Sequence, residues 1–247
     1  MCCRVAILLR RVNRCKGGYE CPEVVSRADW GAQTPRAILP MDVPVPYILI
    51  HHTYIPKSCN TSSSCVAAMK SMQNHHKDGL GWNDIGYNFA VGGDGHVYEG
   101  RGWDIVGAHS PSFNNISIGI CLIGDYTTEL PSTTMLNLTM ELMRCATSRG
   151  SVQTDYKLLG HRQVRATQCP GDVLFEEIKK WEHWDPYLNI IPRSHNANMD
   201  DLAHLIWSPL TGLDLDFMKH AHSTPLNITR LTDRPWLEAR LEQDSDN

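Results

Sequence analysis

The spacing of apolar and polar positions changes several times along this chain, and each change predicts an element. Residues 47–53, YILIHHT, form a nearly unbroken apolar run between Pro46 and Pro56, the pattern of a strand buried on both faces. On a period of two, His51 and His52 point to opposite faces, so only one is expected to look into a shared site. From residue 62 to about residue 77, Val66, Met69, Met72 and Gln73 recur near helical spacing behind a Ser/Thr cap, predicting a helix that ends before Asp78-Gly79. Residues 87–100 alternate around Gly92-Gly93-Asp94-Gly95 and predict a hairpin. Residues 116–124 read as a further apolar strand, with Cys121 a small buried hydrophobe in it.

Residues 131–150 place Met135, Leu138, Leu142, Cys145 and Ala146 on one face of a helix closed by Gly150. A short strand, 156–160, leads to His161, and Pro170-Gly171 opens a last helix over 173–181 with Leu174, Ile178 and Trp181 facing inward. Residues 27–33 and the prolines at 35, 40, 44 and 46 predict an irregular lead-in. Strands and helices interleave around one hairpin, so the expected class is α/β, a mixed central sheet flanked by about three helices. Three segments are expected: a basic segment 1–20, a folded domain 21–186, and an acidic tail 187–247 with local helix near 200–207.

Charge sharpens that division. Residues 1–21 carry five Lys/Arg against one Glu, residues 22–186 carry 13 against 17, and residues 187–247 carry five against nine. The net charge of -4 excludes a strongly basic nucleic-acid binder, and neither a Walker loop nor a paired zinc finger is present. Nine cysteines are many for a cytosolic enzyme. Cys59 and Cys65 bracket a polar loop that an oxidising compartment would close, and Cys21 and Cys145 are plausible long-range partners, although several thiols could instead be reduced and buried. Sequons at Asn60, Asn115, Asn137 and Asn227 are compatible with secretion. Against it, the apolar run at residues 5–9 is cut off by Arg10, Arg11 and Arg14, a poor export signal that would also suit a cytosolic isoform. No stretch approaches the roughly 18–20 apolar residues of a membrane span.

The candidate chemistry lies in LLGHRQVRATQCP, residues 158–170. His161 and Cys169 are both good zinc ligands, but their spacing matches no compact finger, so a distant strand must complete any site. The obvious donor is the His pair of YILIHHT. Two His and one Cys leave the fourth zinc position open, which is a hydrolase arrangement. Lone His and Cys residues more often simply pack or titrate.

Five segments in order, YILIHHT, GWNDIGYNFAVGGDGHVYEGRGW, GAHS, SIGICLIGD and LLGHRQVRATQCPGD, closely resemble the peptidoglycan recognition proteins, a group similar to phage-type N-acetylmuramoyl-L-alanine amidases. The resemblance covers residues 21–185 and is nearest to catalytic insect members of the LB type. It implies a zinc site of His51, His161 and Cys169, a catalytic Tyr at Tyr87, and Thr167 where phage relatives carry a Lys. It also implies that Gly81, Trp82 and Arg101 read the meso-diaminopimelate of the peptide, because a guanidinium can pair with the carboxylate that lysine lacks. Trp103 is expected as an apolar wall, and His109 as a groove residue or a partner of a metal ligand, with simple packing the alternative. Glu99 and Asp172 are expected to be structural, His75 and His76 to lie exposed or at the groove edge, and His96 to have no role. The implied function is amidase action on bacterial peptidoglycan in innate immunity, by a monomer. The rivals are a non-catalytic receptor for muropeptides and a directly bactericidal effector.

Overall fold

The computed structural model describes residues 21–188. The basic segment 1–20, the tail from 189 onward with its expected local helix, and the sequon at Asn227 lie outside the described residues.

Six strands form one sheet: β1 (Val24–Val25), β2 (Val45–His52), β3 (Phe89–Val91), β4 (Val97–Glu99), β5 (Ser117–Leu122) and β6 (Val152–Gly160), in the order β1-β4-β3-β5-β2-β6. Only the β3–β4 hairpin is antiparallel. Parallel pairs need long crossovers, and helices supply them. Helix α1 (Ser62–Asn74) lies between β2 and β3, α2 (Thr133–Arg149) between β5 and β6, and α3 (Asp172–Ile178) follows β6. The expected mixed sheet with three helices is what forms.

Alternation along the two central strands sorts the layers. Ile48 and Ile50 of β2 join Ile118, Ile120 and Leu122 of β5 in a core with Met135 and Leu142 of α2 and Leu174 and Ile178 of α3. The other residues of β2 and β5, Leu49, His51, Gly119 and Cys121 among them, face the opposite side. On that side α1 packs Met69 and Met72 into a second core with Trp30, Ile85 and Tyr98. Two polar residues at the end of a buried strand, His51 and His52, therefore sit where the apolar layers stop.

Several ends differ from expectation for local reasons. Helix α1 opens on a capping box between Thr61 and Ser64 and ends at Asn74, then continues as one wider π-type turn, His75–Gly79. Helix α2 is capped by Ser132 and closes on Gly150 at φ 76°, a left-handed conformation glycine adopts freely. Strand β6 starts at Val152, before the predicted residue 156, because Val45 of β2 pairs with Val152 across an irregular register. Helix α3 stops at Ile178, yet Trp181 is still buried in the core. Residues 27–33 are irregular as predicted, but β1 just before them was not foreseen, two residues being too short to show a period. Disulfides join Cys59 to Cys65 and Cys21 to Cys145.

Candidate functional site

The site is a groove of about 490 Å³ over the α1-side face of the sheet. His51 comes from the end of β2, His161 from the 3-10 turn His161–Gln163 that follows β6, and Cys169 from the loop before α3. One ligand atom from each lies within 4.8 Å of the others. The rings of His51 and His161 are 4.4 Å apart, and Nδ1 of His51 is 3.7 Å from Sγ of Cys169.

Burial sets the protonation of these groups. It drives the His51 imidazole well below its ordinary pKa, with help from neighbouring His161, His109 and His52, and holds His161 at about 4. It pushes the Cys169 thiol up to about 12 against a bond from the His52 backbone N–H. The trio is therefore two neutral imidazoles and a thiol. Nε2 of His161 is buried without a hydrogen-bond partner among the described residues.

Beneath the trio, Nε2 of His51 is 3.1 Å from Nδ1 of His109, and that second ring is held tightly. Asn114 Oδ1 accepts from the backbone N–H of both His109 and Ser110 at 2.8 Å. A Cβ placed on Gly119 would lie 2.5 Å from Cδ2 of His109, and one on Gly107 would collide with the same atom. Only glycines on both segments leave room for this imidazole. Burial lowers its pKa to about 3.

Tyr87 borders the groove with its ring 5.4 Å from that of His51. Burial, reinforced by the Cys121 and Cys169 thiols, raises its hydroxyl well above the usual tyrosine range. Trp82 stacks on His76 at 4.8 Å, and both line the groove. Gly81 precedes Trp82 at φ 77°, outside the groove lining. Thr167 lines the groove and its Oγ1 accepts from the Cys169 N–H at 3.2 Å. Arg101 is buried beneath the wall, donating from Nε to Ile85 and from Nη1 to Val106 carbonyls, both at 2.8 Å. Its Nη2 has no partner among the described residues.

Two expectations need correction. Trp103 is no groove wall: it packs on Phe89 at 4.2 Å, with the Arg149 guanidinium over its ring, because its chain segment faces the α2 core. His52 does share the groove with His51, since β2 ends there and the Cys169 loop wraps across both residues; its Nδ1 accepts from the Tyr126 N–H. His76 lies at the groove edge as expected, half-buried, accepting the Gly86 N–H on Nδ1 and held at about 4 by burial. Glu99 and Asp172 are structural, accepting from the Arg27 N–H and from Arg162. Cys121 is buried and forms no disulfide, and His96 meets Asp94 through its ring and the Gly92 N–H through its carbonyl.

Comparison with known proteins places this geometry. Residues 41–172 match the model of the N-acetylmuramoyl-L-alanine amidase family. The chain is 47% identical to peptidoglycan-recognition protein LB of Drosophila melanogaster over 167 residues, covering 68% of this chain and 72% of that protein. It is 47% identical to an N-acetylmuramoyl-L-alanine amidase of Sus scrofa over 177 residues, 70% of this chain but 29% of that longer protein. Among solved structures, peptidoglycan recognition protein-LE in complex with tracheal cytotoxin, a monomeric diaminopimelic acid-type peptidoglycan, superposes with a TM-score of 0.65 at 42% identity, covering 68% of this chain and 96% of that one. With more than half its length matched and a His-His-Cys trio that could hold a metal assembled, this chain belongs to the N-acetylmuramoyl-L-alanine amidase family, in its peptidoglycan-recognition branch.

Proposed function

We propose that the chain is a zinc-dependent amidase that cuts the bond between the lactyl group of N-acetylmuramic acid and L-alanine in bacterial peptidoglycan. The observation that carries this reading is the convergence of two imidazoles and a thiol on a groove floor in a chain of the amidase family. The donors fit a metal: a buried ring nitrogen of His161 lacks a partner among the described residues, and the Cys169 thiol needs an adjacent cation to ionise. Nitrogen and sulfur donors favour zinc over magnesium or calcium, and three of them leave a tetrahedral position open. His51, His161 and Cys169 would hold the ion. Bound zinc supplies Lewis acidity, drawing charge from an amide carbonyl and bringing water ionisation toward neutral pH.

The chain's own groups complete the site. The raised pKa of Tyr87 keeps its hydroxyl protonated, so it can donate a hydrogen bond to the oxygen that gains charge in the transition state. With a metal on Nδ1 of His51, the nitrogen beside Cys169, the ring would carry its proton on Nε2 and donate it to Nδ1 of His109, 3.1 Å away. Thr167 lines the groove and fixes the thiol loop by accepting the Cys169 N–H. The substrate class is meso-diaminopimelate peptidoglycan: Trp82 lines the peptide side, and the unpartnered Nη2 of Arg101, buried behind that wall, suits the carboxylate that lysine lacks. The diaminopimelic acid-type ligand of the LE relative supports that assignment. Two disulfides fit an oxidising compartment, and secretion with removal of immune-stimulating fragments follows from the family reading.

The test is the identity of the products. Mass spectrometry after incubation with a disaccharide-tetrapeptide should find a free stem peptide with an L-alanine amino terminus and a disaccharide ending in a lactyl acid. Intact muropeptide that binds without turnover would leave a receptor instead.

A further inference from the structure

Tyr54 lines the groove just past the HHT segment, and neither burial nor the metal trio accounts for it. Its side chain is 53% exposed, and its backbone sits at φ 58°, a left-handed conformation costly for an aromatic residue. The surroundings hold it there. Its N–H donates to Gly124 O at 2.8 Å, the next N–H folds back to Thr53 O at 2.6 Å, and Thr53 Oγ1 donates to the Pro56 and Gly124 carbonyls. Lys57 Nζ lies 4.5 Å over the ring and is pinned to Asp125 at 2.8 Å. One ring face meets a cation and the residue is still half open to solvent, which is the posture of a platform.

Strand register says what such a platform would meet. On β5, His51 of the metal trio stands level with Cys121. The His109 ring lies against Gly119, two residues toward the start of the strand, and the Arg101 segment joins that end through Tyr87 and the Asn88–Gly119 bond. Tyr54 bonds to Gly124, three residues past Cys121 in the other direction, about 10 Å along the strand at 3.3 Å per residue. The metal trio therefore stands between Arg101 and Tyr54. If the scissile amide sits at the trio with its peptide toward Arg101, the sugar attached to the same amide leaves toward Tyr54.

We propose that Tyr54 is the sugar-side specificity residue of the groove, presenting its ring to the C–H face of an N-acetylated pyranose. The inference rests on the amidase reading. The two products separate the two sides of the site, so each serves as a probe for the zinc-loaded full chain: the sugar-free stem peptide and the N-acetylglucosaminyl-N-acetylmuramic acid disaccharide. Tyr54→Ala should raise KM for the disaccharide-tetrapeptide about tenfold and weaken disaccharide inhibition by a similar factor, with kcat and peptide inhibition unchanged within twofold. Tyr54→Phe should match the parent. Tyr54→Gly, which tolerates positive φ, should lose sugar affinity while keeping the melting temperature, a split that a packing role would not give. An unchanged KM and disaccharide inhibition, or equal weakening of both products, overturns the proposal. If the parent chain turns nothing over, the amidase reading fails by itself, and direct binding of the two products to parent and Tyr54→Ala chains decides the role of Tyr54 in the same way.

Discussion

Replacing Gly119 by Ala touches no proposed zinc ligand, yet it should weaken zinc binding. The new methyl would lie 2.5 Å from Cδ2, 2.6 Å from Cγ and 2.8 Å from Nε2 of His109. Carbon atoms pack at about 3.5 Å or more, so the imidazole has to retreat by roughly 1 Å. Its 3.1 Å contact with Nε2 of His51 then opens to about 4 Å, beyond hydrogen-bond range. Loss of a partner that orients a metal-ligating histidine costs about 10–100-fold in metal affinity, and overpacking costs about 1–3 kcal/mol of stability. Zinc competition against a chromophoric chelator reads the first quantity and urea denaturation of the metal-free chain the second. Ile118→Val, one residue away on the same strand but facing the α2 core, is the control: it should cost about 0.5–1.5 kcal/mol with zinc affinity unchanged. A folded Gly119→Ala chain that binds zinc within twofold of the parent would refute the orienting role of His109.

The remaining predictions concern specificity, pH and covalent ties. Arg101→Lys should lower the ratio of kcat/KM for diaminopimelate over lysine-type muropeptides about tenfold, a ratio in which any general loss of folded protein cancels; an unchanged ratio would remove Arg101 from substrate selection. Burial holds His76 at about 4 and His109 at about 3, so between those values and 6.5 the unfolded chain binds protons that the fold refuses. Their stabilising contribution is complete above pH 6.5 and is lost as pH falls toward 3–4. The urea midpoint of metal-free protein should drop between pH 7 and 4.5, more steeply than in a His76→Asn/His109→Asn chain; parallel profiles would contradict the burial argument. Breaking Cys21–Cys145, with a sequence separation of 124, should cost about 5 kcal/mol, and breaking Cys59–Cys65, with a separation of 6, about 2 kcal/mol; equal losses by urea titration would argue against a chain-entropy origin.

What was legible in the sequence follows the physics of each signal. The central strands and α2 were plain because Ile48, Ile50, Ile118, Ile120 and Leu142 repeat with a clear period against one core. The ligand trio could be proposed because imidazole and thiolate chemistry is local to the residue type, and the family motifs then chose His51. The groove walls were harder, since a wall depends on which loops meet above the sheet. Alternation assigned His52 to the far face correctly as a strand residue, but it could not show that the core ends there and that the Cys169 loop closes over both histidines. Trp103 was misplaced for the converse reason: an aromatic beside a motif arginine suggests a binding wall, while the hairpin turns it onto Phe89. Gly107 and Gly119 carried no message alone, because the ring they accommodate is brought against them only by the fold.

The most direct measurement of the central claim is release of stem peptide from diaminopimelate-type peptidoglycan by the purified chain, run with zinc, with chelator, and with Cys169→Ala. The account predicts release that chelation abolishes, that added zinc restores to the parent chain, and that Cys169→Ala lacks at any zinc concentration. Release by chelated protein or by Cys169→Ala at the parent rate would contradict it, because the His51, His161 and Cys169 cluster would then hold no metal that the reaction needs.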